Sequence, residues 1–179
     1  LDYPMTQNQS NINPTPNYDS LYPDYRWRLT QKVLKVLTKG RNVVVIGGPG
    51  IGKTHLAQRI ESANKVIKIF DDVESSHIRS LLSKQAPALI TTGISFFHSS
   101  RTLPDEIFRV PLGTITPKHL RQYGSTQWDC SRGHPALICS RSQQERQKQY
   151  DILKSKWINL LRLNPVAENA CHQLSILPP

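Results

Sequence analysis

The octapeptide Gly47-Gly48-Pro49-Gly50-Ile51-Gly52-Lys53-Thr54 constrains the fold of this chain more than any other segment. It fits the pattern GxxxxGK[ST] without a mismatch and stands directly behind the apolar run Val43-Val44-Val45-Ile46. Glycines at these positions let consecutive backbone N–H groups turn inward as an anion nest, which bulky side chains would obstruct. The residues from Lys53 to Glu61 read as a helix, whose positive N-terminal end faces the same point. Lys53 can then reach the outer oxygens of a bound triphosphate, and the Thr54 hydroxyl can ligate Mg²⁺. Gly48, Pro49, Gly50, Ile51, Gly52, Lys53, Thr54 and the adjoining His55 are the candidate nucleotide-binding residues.

Around this loop, strands alternate with helices from residue 26 to residue 115. Leu29, Val33, Leu34, Val36 and Leu37 recur at helical spacing before Gly40. Val66–Phe70 reads as a second apolar strand, Glu74–Ser83 as a helix and Ala86–Thr91 as a third strand. The alternation predicts an α/β fold, a parallel sheet with helices on both faces. Residues 1–25 are rich in Asn, Gln, Pro, Ser and Tyr, are broken by Pro14, Pro16 and Pro23, and read as an extended arm or linker. Residues 116–179 are expected to form a helical lid. Thr116-Pro117 is a helix start and Gly124 its stop, while Tyr150, Leu153, Trp157, Leu160 and Leu161 form one apolar stripe. Pro165 ends that stripe before a last short helix.

Two acids close the second strand in Phe70-Asp71-Asp72-Val73, a Walker B-like segment to the Walker A pattern of the loop. One carboxylate there can hold a metal through its water shell, and another can polarise an attacking water. Asp71 is assigned to Mg²⁺ together with Thr54, and Asp72 to water activation, which makes Lys53 and Asp72 the candidate catalytic residues. Capping of the next helix is the alternative use of the acid pair. In Ala88-Leu89-Ile90-Thr91-Thr92-Gly93 a polar residue at the strand tip could sense the terminal phosphate. Thr92 is the first candidate and Thr91 the second.

The order of Gly47–Thr54, Phe70-Asp71-Asp72-Val73, Ile90-Thr91-Thr92 and Gly133-His134-Pro135 resembles the STAND branch of AAA-type P-loop NTPases. The resemblance covers about residues 26–163. It implies ATP and Mg²⁺ as ligands, contact of Pro135 with the nucleotide, self-association through the NTPase domain, and slow hydrolysis. It also implies a nucleotide-dependent switch for assembly or signalling, including defence against foreign genetic elements. Tyr22, Tyr25 and Arg26 correspond to a segment that lines the adenine pocket in relatives. Arg101, Arg109 and Arg132 are candidates for an arginine that acts on a neighbouring subunit. The chain departs from the pattern at Gly93, where many relatives carry arginine. Only 17 positions separate Thr54 from Asp71, too few for the strand and helix usually inserted there. A shortened core or segments dropped from the chain are the expected explanations, and the start at Leu1 rather than Met fits a fragment.

Composition excludes other classes. No stretch approaches the roughly 20 apolar residues of a membrane span, and no basic segment precedes an apolar one at the start. Cys130, Cys139 and Cys171 have no metal-site spacing, and a cytoplasmic location is expected. The net charge is +10, and the first 24 residues hold three acids with no Lys or Arg, so the rest carries +13. A DNA or protein partner fits that balance. The runner-up function is therefore an AAA-type ATPase acting on DNA, such as an initiator, helicase loader or transposition regulator. Arg141, Arg146, Lys148, Lys154 and Lys156 are its candidate contact face, or else a solvated helix surface. A small P-loop kinase and a pure binding module are further alternatives. Trp27 and Trp157 read as core or interface, and His134 as structural.

Overall fold

A computed structural model of the chain describes residues 26–84, 87–115, 133–138, 140 and 142–163. Helix α1 (Trp27–Thr38) buries Thr30, Val33 and Leu37 and ends with the Gly40 N–H donating to the Leu37 carbonyl. Strand β1 (Val43–Gly47) follows, and its five residues are all buried. The glycine loop leads into α2 (Lys53–Ala63), which buries Leu56, Ala57 and Ile60. Then come β2 (Lys68–Val73), a 3-10 turn over Ser75–His77, α3 (Ile78–Lys84) and β3 (Ala88–Gly93). Two more 3-10 turns, Ile94–Phe96 and Ser99–Thr102, precede β4 (Phe108–Pro111). Beyond these lie α4 (Pro135–Ile138) and the long helix α5 (Gln143–Leu163).

The strands form one parallel sheet in the order β2-β3-β1-β4. β1 and β3 are central and fully buried but for Gly93, so both faces of the sheet middle are covered, as a parallel sheet requires. Asn42 pins the register at the lower end. Its Oδ1 accepts from Ala88 N–H at 2.9 Å, its carbonyl accepts from Phe108 N–H at 2.9 Å, and its Nδ2 donates to the Leu82 carbonyl at 3.3 Å. One polar side chain thus ties β1 to β3 and α3, and its backbone ties it to β4. The upper ends of β1 and β3 carry the glycine loop and the threonines.

The α/β architecture follows the sequence, with three local corrections. The second strand begins at Lys68 instead of Val66, and it continues through Asp71, Asp72 and Val73. Asn64 makes the difference. Its side chain accepts from Val66 N–H at 3.0 Å, which turns the chain and leaves Val66 79% exposed. The third strand likewise starts at Ala88. The fourth strand, Phe108–Pro111, had no apolar run to announce it. It is four residues long, holds Arg109 and ends in a proline, which an edge strand tolerates. Residues 64–67 carry the chain directly from α2 to β2. The helix expected over Thr116–Gly124, the last short helix after Pro165 and the arm over 1–25 lie outside the described residues, as does Arg132.

Candidate functional site

The site forms where β1, β2 and β3 end, on the side toward which α2 points its N-terminus. The loop closes on itself through Lys53, whose Nζ donates to the carbonyls of Gly47 at 2.7 Å and Gly48 at 2.9 Å. Burial pushes the Lys53 amine down from 10.5 to about 8. Asp72 and Asp71 oppose that shift, and the positive charge of Lys156 adds to it.

Thr54 and Asp71 meet directly, with Thr54 Oγ1 donating to Asp71 Oδ2 at 2.7 Å. The other carboxylate oxygen accepts from the Thr91 hydroxyl. That same hydroxyl accepts from Asp72 N–H at 2.8 Å. The pairing of β2 with β3 shifts register between Phe70 and Val73, and Asp72 takes φ 55. This left-handed conformation is uncommon outside glycine but open to Asp. The irregularity turns the two acids toward the loop, a familiar use of a bulge beside a site. Although Asp71 and Thr54 adjoin, β2 does not pair with β1, the strand that leads into the loop before Thr54, for β3 runs between them.

Two cavities flank the loop and share Gly50, Lys53 and Thr54. One, of about 440 Å³, is lined by Gly47, Pro49, Asp71, Asp72, Gly93, Ile94, Lys156 and Leu160 as well. The other, of about 410 Å³, adds Ile51, Gly52, His55, Gln58, Pro135 and Ala136. Of the residues singled out by sequence, Gly48, Pro49, Gly50, Gly52, Lys53, Thr54, His55, Asp71, Asp72 and Pro135 gather here. Ile51 is fully buried and packs against Gly47, leaving its backbone to serve the loop. Thr92 is also fully buried, with its hydroxyl donated to the Val73 carbonyl at 2.7 Å. Of the two threonines, Thr91 joins the acid cluster.

The helices beyond β4 sit on the loop itself. Gly50 has φ +73, and a Cβ there would lie 2.6 Å from Leu153 Cδ2 and 3.3 Å from Ala136 Cβ. Lys156 and Leu160, one turn apart on α5, enter the cavity of the acid pair. The sequence places neither at the nucleotide site, with Lys156 read as part of a DNA-contact or solvated basic face and Leu160 as part of the apolar stripe. The signal for Lys156 was its place at the edge of the apolar stripe, three residues after Leu153 and four before Leu160. That basic face is in fact dispersed, since Arg146 is buried and Lys156 turns to the cavity, while Arg141 lies outside the described residues. Arg109 is half-buried, donates to Ser100 Oγ and stacks 4.9 Å from the Phe97 ring centroid. Burial, then the neighbouring Arg101 charge, lowers its pKa. Arg101 itself is exposed.

Among the described residues no group of three or more His, Cys, Asp or Glu forms a metal cage. The oxygen pair of Thr54 and Asp71 fits Mg²⁺, which takes few protein ligands and completes its shell with water and phosphate. Residues 28–105 match the family model described as magnesium chelatase, subunit ChlI, a family related to AAA-type ATPases. The chain has a P-loop NTPase core. The matched segment takes in the glycine loop, the acid pair and the threonine strand, and it ends before β4 and the helices above the loop. No curated protein matches the chain. No helix among the described residues is long and apolar enough to cross a membrane.

Proposed function

We propose that this NTPase binds ATP with Mg²⁺ between its α/β core (26–115) and a helical lid (116–179), hydrolyses it slowly, and acts as a nucleotide-dependent switch for assembly or signalling, as STAND-like ATPases do. The supporting observation is the seating of the lid helices on the loop. Gly50 lies against Leu153 and Ala136, and Lys156 shares one cavity with Lys53, Asp71 and Asp72. Phosphates held by the loop are therefore within reach of α5 and can bias its position.

The nest of Gly48–Gly52 and the N-terminus of α2 bind phosphate oxygens, and Lys53 exchanges its two carbonyl partners for them. Thr54 and Asp71 would hold Mg²⁺, which supplies charge neutralisation on the outer phosphates when bound. Asp72, exposed at the cavity wall, accepts a proton from water. Thr91 holds both acids in place, and Pro135 and His55 border the cavity leading away from the acids. In self-association through this domain, Arg101, which is exposed, is better placed than the half-buried Arg109 to reach a neighbour.

The test is ATP turnover together with amide hydrogen exchange along α5, with ATP, with ADP and without nucleotide. Lys53→Ala should lose nucleotide binding, and Asp72→Asn should keep binding and slow turnover. Equal exchange of α5 with ATP and ADP would overturn the switch, and equal ATP affinity of Lys53→Ala would overturn the site.

A further inference from the structure

Helix α1 carries Arg28, Lys32 and Lys35, Lys39 follows as its C-cap, and the segment holds no Asp or Glu. At 3.6 residues per turn the four side chains fall within about 60° of arc. That arc is opposite to the one holding the buried Thr30, Val33 and Leu37, and all four cations are exposed. Among the described residues Arg28, Lys35 and Lys39 make no ion pair, and the Lys32 ammonium lies 5.2 Å from the Phe108 ring centroid. The other basic helix differs. α5 intersperses Glu145 and Asp151 among its cations, buries Arg146 and turns Lys156 into the nucleotide cavity.

We propose that the outer face of α1 is a contact surface for the phosphodiester backbone of a duplex nucleic acid. From Arg28 to Lys39 the helix rises about 16 Å, the length over which one strand of a duplex presents about five phosphates. Four cations in a row match that series in sign and reach. An anionic membrane fits less well, because an interfacial helix must leave an apolar face to the lipid, and the apolar face of α1 is spent on the core. Single strands are usually gripped with aromatic platforms, and the four-cation arc has none. The contact reads charge and not base sequence, and it is independent of the nucleotide site.

The test titrates the full chain with a short fluorescent duplex of mixed sequence, made once as DNA and once as RNA, between about 50 and 200 mM salt. Each lost phosphate contact lowers the steepness of log K against log salt by about 0.9, so Lys35→Gln/Lys39→Gln should lower it by about 1.8. Lys148→Gln/Lys154→Gln on α5 should leave it unchanged, and Lys53→Ala should bind duplex as the parent does. Binding of DNA, RNA or both in this pattern supports the surface and names its source. An unchanged salt slope in the α1 variant overturns it. So does binding to phosphatidylserine vesicles without duplex binding, or no duplex binding by a chain that still binds ATP. In that last case the proposed function stands while this surface falls.

Discussion

Thr54 Oγ1 donates to Asp71 Oδ2 across 2.7 Å, joining the first turn of α2 to the end of an edge strand that does not pair with β1. The two oxygens are where a hard cation needs them, and the negative charge sits on Asp71 alone. Asp71→Asn keeps the shape and removes the charge. Nucleotide affinity in the presence of Mg²⁺ should fall about ten- to hundredfold, the worth of about 1.5–3 kcal/mol for a charged contact. Without Mg²⁺ the variant should bind nucleotide as well as the parent or better. Calorimetric titrations with and without the metal read the difference.

Thr91 performs two tasks with one hydroxyl, donating to Asp71 and accepting from Asp72 N–H at 2.8 Å. Thr91→Val is nearly isosteric and leaves that N–H without its acceptor. It should cost about 1–3 kcal/mol of stability and reduce turnover at least tenfold, with a smaller effect on ATP affinity. Thr91→Ser restores the hydroxyl and should recover most of the turnover. Denaturant melts and steady-state kinetics on the three proteins decide the point. If Thr91→Val turned over normally, the acid pair would not depend on this stitch.

The loop and the α/β order were legible because each rests on local chemistry. The glycines, Lys53 and Thr54 stand in a row, and the run Val43–Ile46 is too apolar for anything but a buried strand. What stayed hidden depends on pairing across the sheet. That β3 separates β2 from β1 is a matter of sheet order, and no residue pattern encodes it. The choice between Thr91 and Thr92 turns on which face of β3 meets the irregularity at Asp72, and that follows from the register shift alone. Lys156 was concealed for another reason. It stands at the edge of the apolar stripe, and only the packing of Leu153 on Gly50 turns that edge of the helix toward the loop.

Lys53 links the site to pH. Its amine is lowered from 10.5 to about 8, chiefly by desolvation. The folded amine releases its proton before the unfolded one does, so between about pH 8 and 10.5 the unfolded chain binds more protons. Stability of the protein without added nucleotide should therefore gain from this group as pH rises through that window. Bound phosphates favour the ammonium, so nucleotide affinity should move the other way and fall by up to about tenfold per unit above pH 8. Calorimetry in buffers of different ionisation heat should show proton uptake on binding there. Lys53→Arg, which stays charged, should lose that uptake.

Lys156 should discriminate ATP from ADP. It borders the cavity of Asp71 and Asp72, and its charge already lowers the Lys53 amine. A terminal phosphate placed beside the acids and their metal would gain from a second cation, and a diphosphate would not reach it. Lys156→Gln should thus reduce the preference for ATP over ADP by about tenfold, or about 1.4 kcal/mol, and raise the pKa of Lys53. Competition titrations with the two nucleotides check the ratio. A uniform loss for both would mean that Lys156 acts on the fold of α5 and not on the phosphate.

Gly133 and Gly50 both have positive φ, at 81° and 73°, yet their replacement by alanine should injure different properties. At Gly133 a Cβ would come 2.2 Å from the Ile115 carbonyl oxygen, and the backbone there is held by Ile115 N–H donating to the Gly133 carbonyl at 2.8 Å. Neither strand of chain can give way without breaking that bond. At Gly50 the first obstacle is the tip of Leu153, which can rotate. Gly133→Ala should therefore cost about 3 kcal/mol or more, from the left-handed backbone and the overpacking together, and Gly50→Ala about 1–2 kcal/mol. Nucleotide affinity should rank them in the opposite order. Gly50 lies in the phosphate nest and touches α5, so its Cβ spoils the cradle and shifts the lid at once, whereas Gly133 acts only through the seating of α4. Thermal melts and ATP titrations on the two variants should yield this crossed result, and a variant of Gly133 that lost affinity more than Gly50→Ala would place the lid turn, rather than the loop, in contact with nucleotide.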